Sequence, residues 1–280
     1  MIRLVKTSRL IYKAREIVPN PTTMKTHAFI IVSFTLGITV GNAQFGRMAG
    51  PAPGPGLSGS TAKLFGDNST FSANLEMQTA GEGGSDAMSM PGKMFFDTGK
   101  SRFEMNMSEM KSAKMPPQTA AQMKAMGMDR MIMIGRPDKK LGYQVFPAMQ
   151  AYVENPLPEQ ESASAPSDFK IEVTELGKET VDNHPCIKNK AVVTGKDGTK
   201  HESTVWNATD LKKFPIKIEQ MESGTKITML FHDVSLSKPA AELFEPPSDA
   251  TKYDSMQSMM QQVMMKRFGG GAPGRQPGQQ

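Results

Sequence analysis

The chain of 280 residues contains one cysteine, one tryptophan, four tyrosines and four histidines. A single cysteine excludes an intrachain disulfide framework and a structural zinc site built from several thiolates. The sequence has no G-x-S-x-G, no H-E-x-x-H, no phosphate-binding P-loop and no G-x-G-x-x-G following a strand, so the common hydrolase, metalloprotease and nucleotide-binding signatures are missing. No apolar run reaches the roughly 20 residues that a membrane-spanning helix needs. An effective excess of positive charge is missing too. The net charge of +5 and pI near 9.1 suggest a nucleic-acid partner. However, six of the 33 basic residues (Arg3, Lys6, Arg9, Lys13, Arg15, Lys25) and only Glu16 of the 28 acidic ones lie in residues 1–43, leaving 27 of each sign beyond. With no downstream Lys/Arg run interleaved with aromatics, nucleic acid is excluded as a partner.

What is present begins with a leader. From Met24 the chain reads MKTHAFIIVSFTLGITVGNAQ, with Lys25 as a basic start and an apolar run from Ala28 to Val40. Gly41 and Ala43 supply the small residues that precede a cleavage point. This is the pattern of a secretory signal peptide over residues 1–43, cut near Ala43, and it predicts a periplasmic or secreted protein. Met24-Lys25 is the better start, so residues 1–23 read as a start placed too early. Residues 44–60 are rich in Gly, Pro and Ala and read as a disordered tether. Residues 269–280 read as a disordered Gly/Gln tail.

Between them, residues 61–268 have the texture of one β domain with a C-terminal helix. Phe71, Ala73, Leu75 and Met77 alternate with Ser72, Asn74, Glu76 and Gln78, the period of a half-buried strand. GKMFFD, a Thr-Gly turn and KSRFEMNM predict a hairpin, in which Phe103, Met105 and Met107 share a face. Pro116-Pro117 opens a short helix that stops at Gly127. Residues 130–134 and 141–146 predict a second hairpin, and 155–167 a polar, Pro-rich connection. Strands follow at 169–176, 186–194 and 201–207, the last two joined by the tight turn Lys196-Asp197-Gly198-Thr199. A further hairpin spans 216–231, and Leu243 to Pro247 closes the sheet. Tyr253 to Phe268 predicts a helix, with Met256, Met259, Met260, Val263 and Met264 on one side. The sum is nine or ten antiparallel strands with two or three short helices, and no parallel βαβ unit.

Methionine is the abundant residue, 24 in all. Fourteen fall between Met77 and Met149 and five in the final helix. Thioethers are soft ligands suited to Cu(I), with Met105, Met107 and Met110 the natural set. They are also flexible, polarizable fillers for an apolar groove. His184 and Cys186 form an H-x-C pair that can meet on one strand face as base and nucleophile, or remain an inert buried thiol. Carboxylate pairs such as Asp97/Glu104 read as solvated strand faces. No constellation supports an enzyme, and no cofactor is indicated.

The run ELGKETVDNHPC (175–186), the strand and tight turn after it, TVWNATDLKKFPIKIEQ (204–220), TKITMLFHDV (225–234) and LFEPPSDATKY (243–253) is similar to proteins of the outer-membrane lipoprotein-carrier (LolA/LolB-like) superfamily, and more closely to a Met-rich exported branch of it. The resemblance covers roughly 61–255. It implies a mainly β fold: a curved antiparallel sheet, or half-open β-barrel, with short helices as a lid over a concave apolar face that holds acyl chains. Combined with the residue patterns, the expectation is an exported, non-enzymatic protein that binds a hydrophobic ligand or lipid, with an envelope protein as a further partner. The contact residues expected are Phe71, Leu75, Met77, Phe95, Phe103, Met105, Met107, Met131, Met133, Tyr143, Phe146 and Trp206. The alternatives are a Cu(I)-binding protein that uses the Met clusters and a structural envelope protein without a small ligand.

Overall fold

The computed structural model describes residues 57, 59–81, 87–112, 116–157, 168–222 and 224–268. The signal-peptide reading, most of the tether and the tail lie outside the described residues. Within them, thirteen strands join one sheet. They are β1 (Thr70–Ala80), β2 (Met88–Asp97), β3 (Lys100–Asn106), β4 (Lys111–Ser112), β5 (Arg130–Arg136), β6 (Leu141–Phe146), β7 (Ala151–Pro156), β8 (Lys170–Val181), β9 (His184–Thr194), β10 (Lys200–Ala208), β11 (Phe214–Glu222), β12 (Thr225–Ser235) and β13 (Thr251–Tyr253). The helices are α1 (Gly59–Lys63), α2 (Pro117–Met126) and α3 (Met256–Phe268).

The strand order is β13-β7-β6-β5-β3-β2-β1-β12-β11-β10-β9-β8, with β4 paired to β2. Every pairing is antiparallel except β13 on β7, whose three residues run parallel. The end strands β8 and β13 do not pair, so the curved sheet stays open, as the sequence predicts. The one parallel pair arises without a crossover helix. An irregular strap, 236–250, leaves β12 in mid-sheet and delivers the chain to the far edge.

Local chemistry explains the turns. Thr98 and Gly99 (φ 51° and 91°) join β2 to β3, and Asp182 and Asn183 (φ 51° and 64°) join β8 to β9. Two consecutive left-handed residues match the twist of a hairpin, and Gly, Asn and Asp adopt them at least cost. Gly92 serves a different need. A Cβ there would lie 2.4 Å from the Glu104 carbonyl oxygen and 2.6 Å from the Phe103 ring, so glycine lets that ring lie across the strand.

Several boundaries differ from expectation. β7 takes up Asn155 and Pro156, which read as connection, because Ala151 and Val153 have a buried face to fill. β8 continues through Gly177, where a register shift and φ of 148° absorb an extra residue. Tyr253 belongs to β13, not to the helix. α3 starts after Ser255, whose hydroxyl accepts from the Ser258 amide at 3.1 Å while the Ser258 hydroxyl accepts from the Ser255 amide at 3.2 Å, a reciprocal cap. Leu57 is buried and Gly59-Ser60 open α1, so packed structure begins inside the stretch read as tether. Asp97 is buried, not solvated. It accepts from the Thr98 hydroxyl at 2.9 Å, with Lys238 and Lys100 at 3.6 and 3.7 Å.

Candidate functional site

Register sorts the apolar residues onto two faces. On β1 and β2, Phe71 pairs with Phe96, Ala73 with Met94, Leu75 with Gly92 and Met77 with Met90. Met94 continues to Phe103, and Phe103 to Met133; Gly92 continues to Met105, and Met105 to Met131. Met133 continues through Gln144 and Val153 to Tyr253. In the other direction Met77 pairs with Met229, Met229 with Ile218 and Ile218 with Val205. These rows form one apolar face from β10 to β13, here termed the inner face.

Two covers lie on that face. α1 and its following turn place Leu64 and Phe65 in the main core. Phe65 stacks on Phe71 with ring centroids 4.9 Å apart and meets Phe214 and Phe231 edge-on at 5.4 and 5.7 Å. The Asn68 amide ties this turn down by donating to the carbonyls of Phe65 (3.0 Å) and Lys212 (3.3 Å). At the other end α3 sets Met259, fully buried, against Phe146, Ala151, Val153 and Tyr253, with Met256, Met260 and Val263 half-buried around it. Met131 touches both clusters, so they are continuous.

The opposite face has its own apolar cluster: Ile134, Tyr143, Val145 and Phe244, with Phe95, Ile132 and Tyr152 packed against it. The strap covers it. The Arg102 guanidinium donates to the Leu243 carbonyl at 2.9 Å and that of Arg136 to the Phe244 carbonyl at 3.2 Å. Arg136 also pairs with Glu245 and, at 2.7 Å, with Asp138. These bonds raise the affinity of Arg136 for its proton and hold the Asp138 carboxyl below its ordinary range. For Glu245, burial pushes upward, but the bonds from Lys139 and Arg136 outweigh it and the net shift is downward.

The expected contact residues therefore divide. Phe71, Leu75, Met77, Phe103, Met105, Met107, Met131, Met133 and Phe146 share the inner face. Phe95 and Tyr143 lie on the opposite face, under the strap. Trp206 is buried in the main cluster but sits off the inner row. Its neighbour Val205 occupies the inner row, and Trp206 pairs instead with Lys217 and Lys188, whose ammonium groups sit 4.3 and 4.9 Å from its ring centre. Its indole N–H donates to Glu179 at 2.7 Å. Strand periodicity groups residues within a strand. It does not say which of two adjacent aromatics, Phe95 or Phe96, faces its neighbour's core. Sequence reasoning missed Leu64 and Phe65, and the only signal was an apolar pair beside Gly66 at the end of the tether.

The inner face is overlaid at one end by α1 and at the other by α3. Clefts of about 710 and 570 Å³ lie outside these covers, the larger around Thr79, Met88 and Met110, where the inner-face rows end, the smaller along Lys190, Glu202, Glu219 and Leu176. The proposed copper ligands have three surroundings: Met105 is in the core, Met107 opens a 3₁₀ turn packed on that core, and Met110 lines the larger cleft. His184 and Cys186 do not act on each other as base and nucleophile. His184 Nδ1 lies 2.8 Å from Asp210, holding that carboxyl below its ordinary range. The Cys186 thiol donates to the His184 carbonyl at 3.3 Å, and burial pushes its ionisation up. Such a thiol is a poor nucleophile.

No family model matches the chain, and no curated protein matches it in sequence. Among solved structures it is similar to a LolA superfamily protein from Nitrosomonas europaea, at 10% identity and a TM-score of 0.35, over 68% of this chain and 98% of that one. It is also similar to the lipoprotein LppX of Mycobacterium tuberculosis (10% identity, TM-score 0.36, 65% of this chain and 93% of that one). LprF from Mycobacterium bovis shows 11% identity and a TM-score of 0.36, over 69% and 94%. At these values the fold class rests on the sheet itself: open, antiparallel, and covered on its inner face by short helices.

Proposed function

We propose that this chain is an exported, non-enzymatic carrier that holds the acyl part of a lipid or a similar hydrophobic ligand on the inner face of its sheet. One observation supports this reading above the others. The apolar rows of the inner face are covered not by a second sheet but by two short helical segments, and methionines on it (Met77, Met90, Met107, Met131 and Met133) remain half-buried. A face built only for stability would bury such side chains fully, since each buried methylene contributes about 0.8 kcal/mol. Methionine also adapts to guests of uncertain shape. The contact residues proposed are those of the inner face, from Phe71 to Phe146, without Phe95, Tyr143 and Trp206. Loss of any one should weaken binding modestly, because the contact is spread over many side chains.

The test is to purify the exported protein, extract it with organic solvent, and assay the extract for lipid and the protein for copper. Lipid in near-stoichiometric amount without copper is the expected result. Stoichiometric Cu(I), lost when Met105, Met107 and Met110 are changed to Leu, would replace this reading with a copper-handling one. Finding neither, and no uptake of added fatty acid, would leave a structural envelope protein.

A further inference from the structure

The two covers of the inner face differ in a way that locates the ligand. At α1 the contact is aromatic and interlocked. Phe65 has four ring neighbours (Phe71, Phe96, Phe214 and Phe231), and Asn68 fastens the turn with two hydrogen bonds. At α3 the contact is made by Met256, Met259, Met260 and Val263, and only Met259 is fully buried. Among the described side chains of α3, hydrogen bonds run only between Ser258 and the capping Ser255, and none reaches the sheet. The helix is held at its start by β13, which contributes three parallel pairs and the 2.9 Å ion pair of Lys252 with Glu154.

From this contrast we propose that α3 occupies the ligand's own place. An acyl chain enters on the β5–β6–β7 part of the inner face by displacing α3 about β13, while the aromatic wedge at Phe65 stays shut. This rests on the carrier reading and names its site. The chemistry is an exchange of like for like. Methionine side chains are unbranched and apolar, and the surface that accepts them (Phe146, Ala151, Val153, Met131) accepts a methylene chain equally well. From Met131 the same face runs on to Met105 and Met133, so the apolar surface is continuous toward the main core. A released 13-residue helix is marginal in water, so displacement also unfolds it. The cost of opening is subtracted from the ligand's intrinsic affinity, so loosening α3 should tighten binding.

The experiment uses the full chain and the fluorescent fatty acid cis-parinaric acid. Hydrogen exchange is followed by mass spectrometry with and without the probe. The expected result is that amides of 256–268 exchange faster when the probe binds, while those of 59–68 do not change. Met259→Ala should bind the probe about tenfold more tightly, because it weakens only the docked helix. Should that variant fail to fold, Met256→Ser, at a half-buried position, should tighten binding about threefold by the same logic. Phe65→Leu should leave affinity within about twofold. Binding with α3 protection unchanged or increased, or with protection lost at 59–68 instead, would overturn this inference and leave the carrier reading standing. Absence of any probe binding in the wild-type chain and in the α3 variants would overturn both.

Discussion

Replacing Phe65 by alanine tests whether the aromatic wedge is structural. α1 has only five residues and no helix stability of its own, so its position depends on what Phe65 buries. The ring is 2% exposed and meets four others at centroid distances from 4.9 to 6.3 Å. Truncating a buried Phe costs about 3–5 kcal/mol, and each favourable ring pair contributes about 0.5–1.5 kcal/mol within that cost. Because Phe71, Phe214 and Phe231 hold one another, the vacated space cannot collapse, and a loss of about 4 kcal/mol is expected. With a urea slope of about 2.5 kcal/mol/M, the unfolding midpoint should fall by about 1.5 M at unchanged slope. The transition should be followed by far-ultraviolet circular dichroism, because Trp206, the only tryptophan, is buried in the same cluster as Phe65 and its emission would respond to the cavity as well. A fall below about 0.4 M, equivalent to about 1 kcal/mol, would refute the assignment of Phe65 as a fixed wedge and make α1 a mobile cover.

Three further outcomes follow from the geometry. Gly92→Ala should destabilise by about 3 kcal/mol in the same urea assay, because the new methyl meets the Glu104 carbonyl, which cannot move without breaking the β2–β3 ladder; a cost under about 1 kcal/mol would show that Phe103 does not lie across the strand. Arg136→Met should cost about 2 kcal/mol and speed hydrogen exchange in 241–245, since the Phe244 carbonyl and Asp138 lose their donor and Glu245 keeps only Lys139; unchanged exchange there would mean that Phe244 packing and the Arg102 and Lys139 bonds suffice to hold the strap. The Lys188 ammonium, and then the Trp206 indole N–H, hold the Glu179 carboxyl below its ordinary value of 4.5. A depressed carboxylate stabilises the fold above its unfolded value and loses that contribution as pH falls through the folded one. The emission of Trp206 should therefore change only below pH 4.5, and a transition above it would refute the bond.

The alternation in β1, the Thr98-Gly99 and Lys196–Thr199 turns, and the Met stripe of α3 were legible because each is a local pattern with a local cause. So was the fold class, since a chain of hairpins around a half-buried strand has few other solutions. What stayed hidden is non-local. Phe95 and Tyr143 look like groove residues until the strap, far later in the chain, places Phe244 over them. Trp206 looks apolar in sequence, but its surroundings are set by lysines on two neighbouring strands. β13 is too short to have a period, and exists because Ala151 to Val153 offers an edge. Leu57 and Phe65 sit beside a stretch whose composition argues for no structure at all.

The sheet's other border has a consequence for how copies of this chain tolerate crowding. Among the described residues β8 pairs on one side only, with β9, and Val173 and Leu176 are 56% and 54% exposed. Such a border invites a neighbour to zip on. The slip at Glu175/Gly177 breaks the rhythm of its amides and carbonyls midway, and an oncoming strand falls out of step there. With Glu172, Glu175 and Lys178 along it, this edge carries the irregularity and charge that oppose strand-to-strand growth in an open sheet.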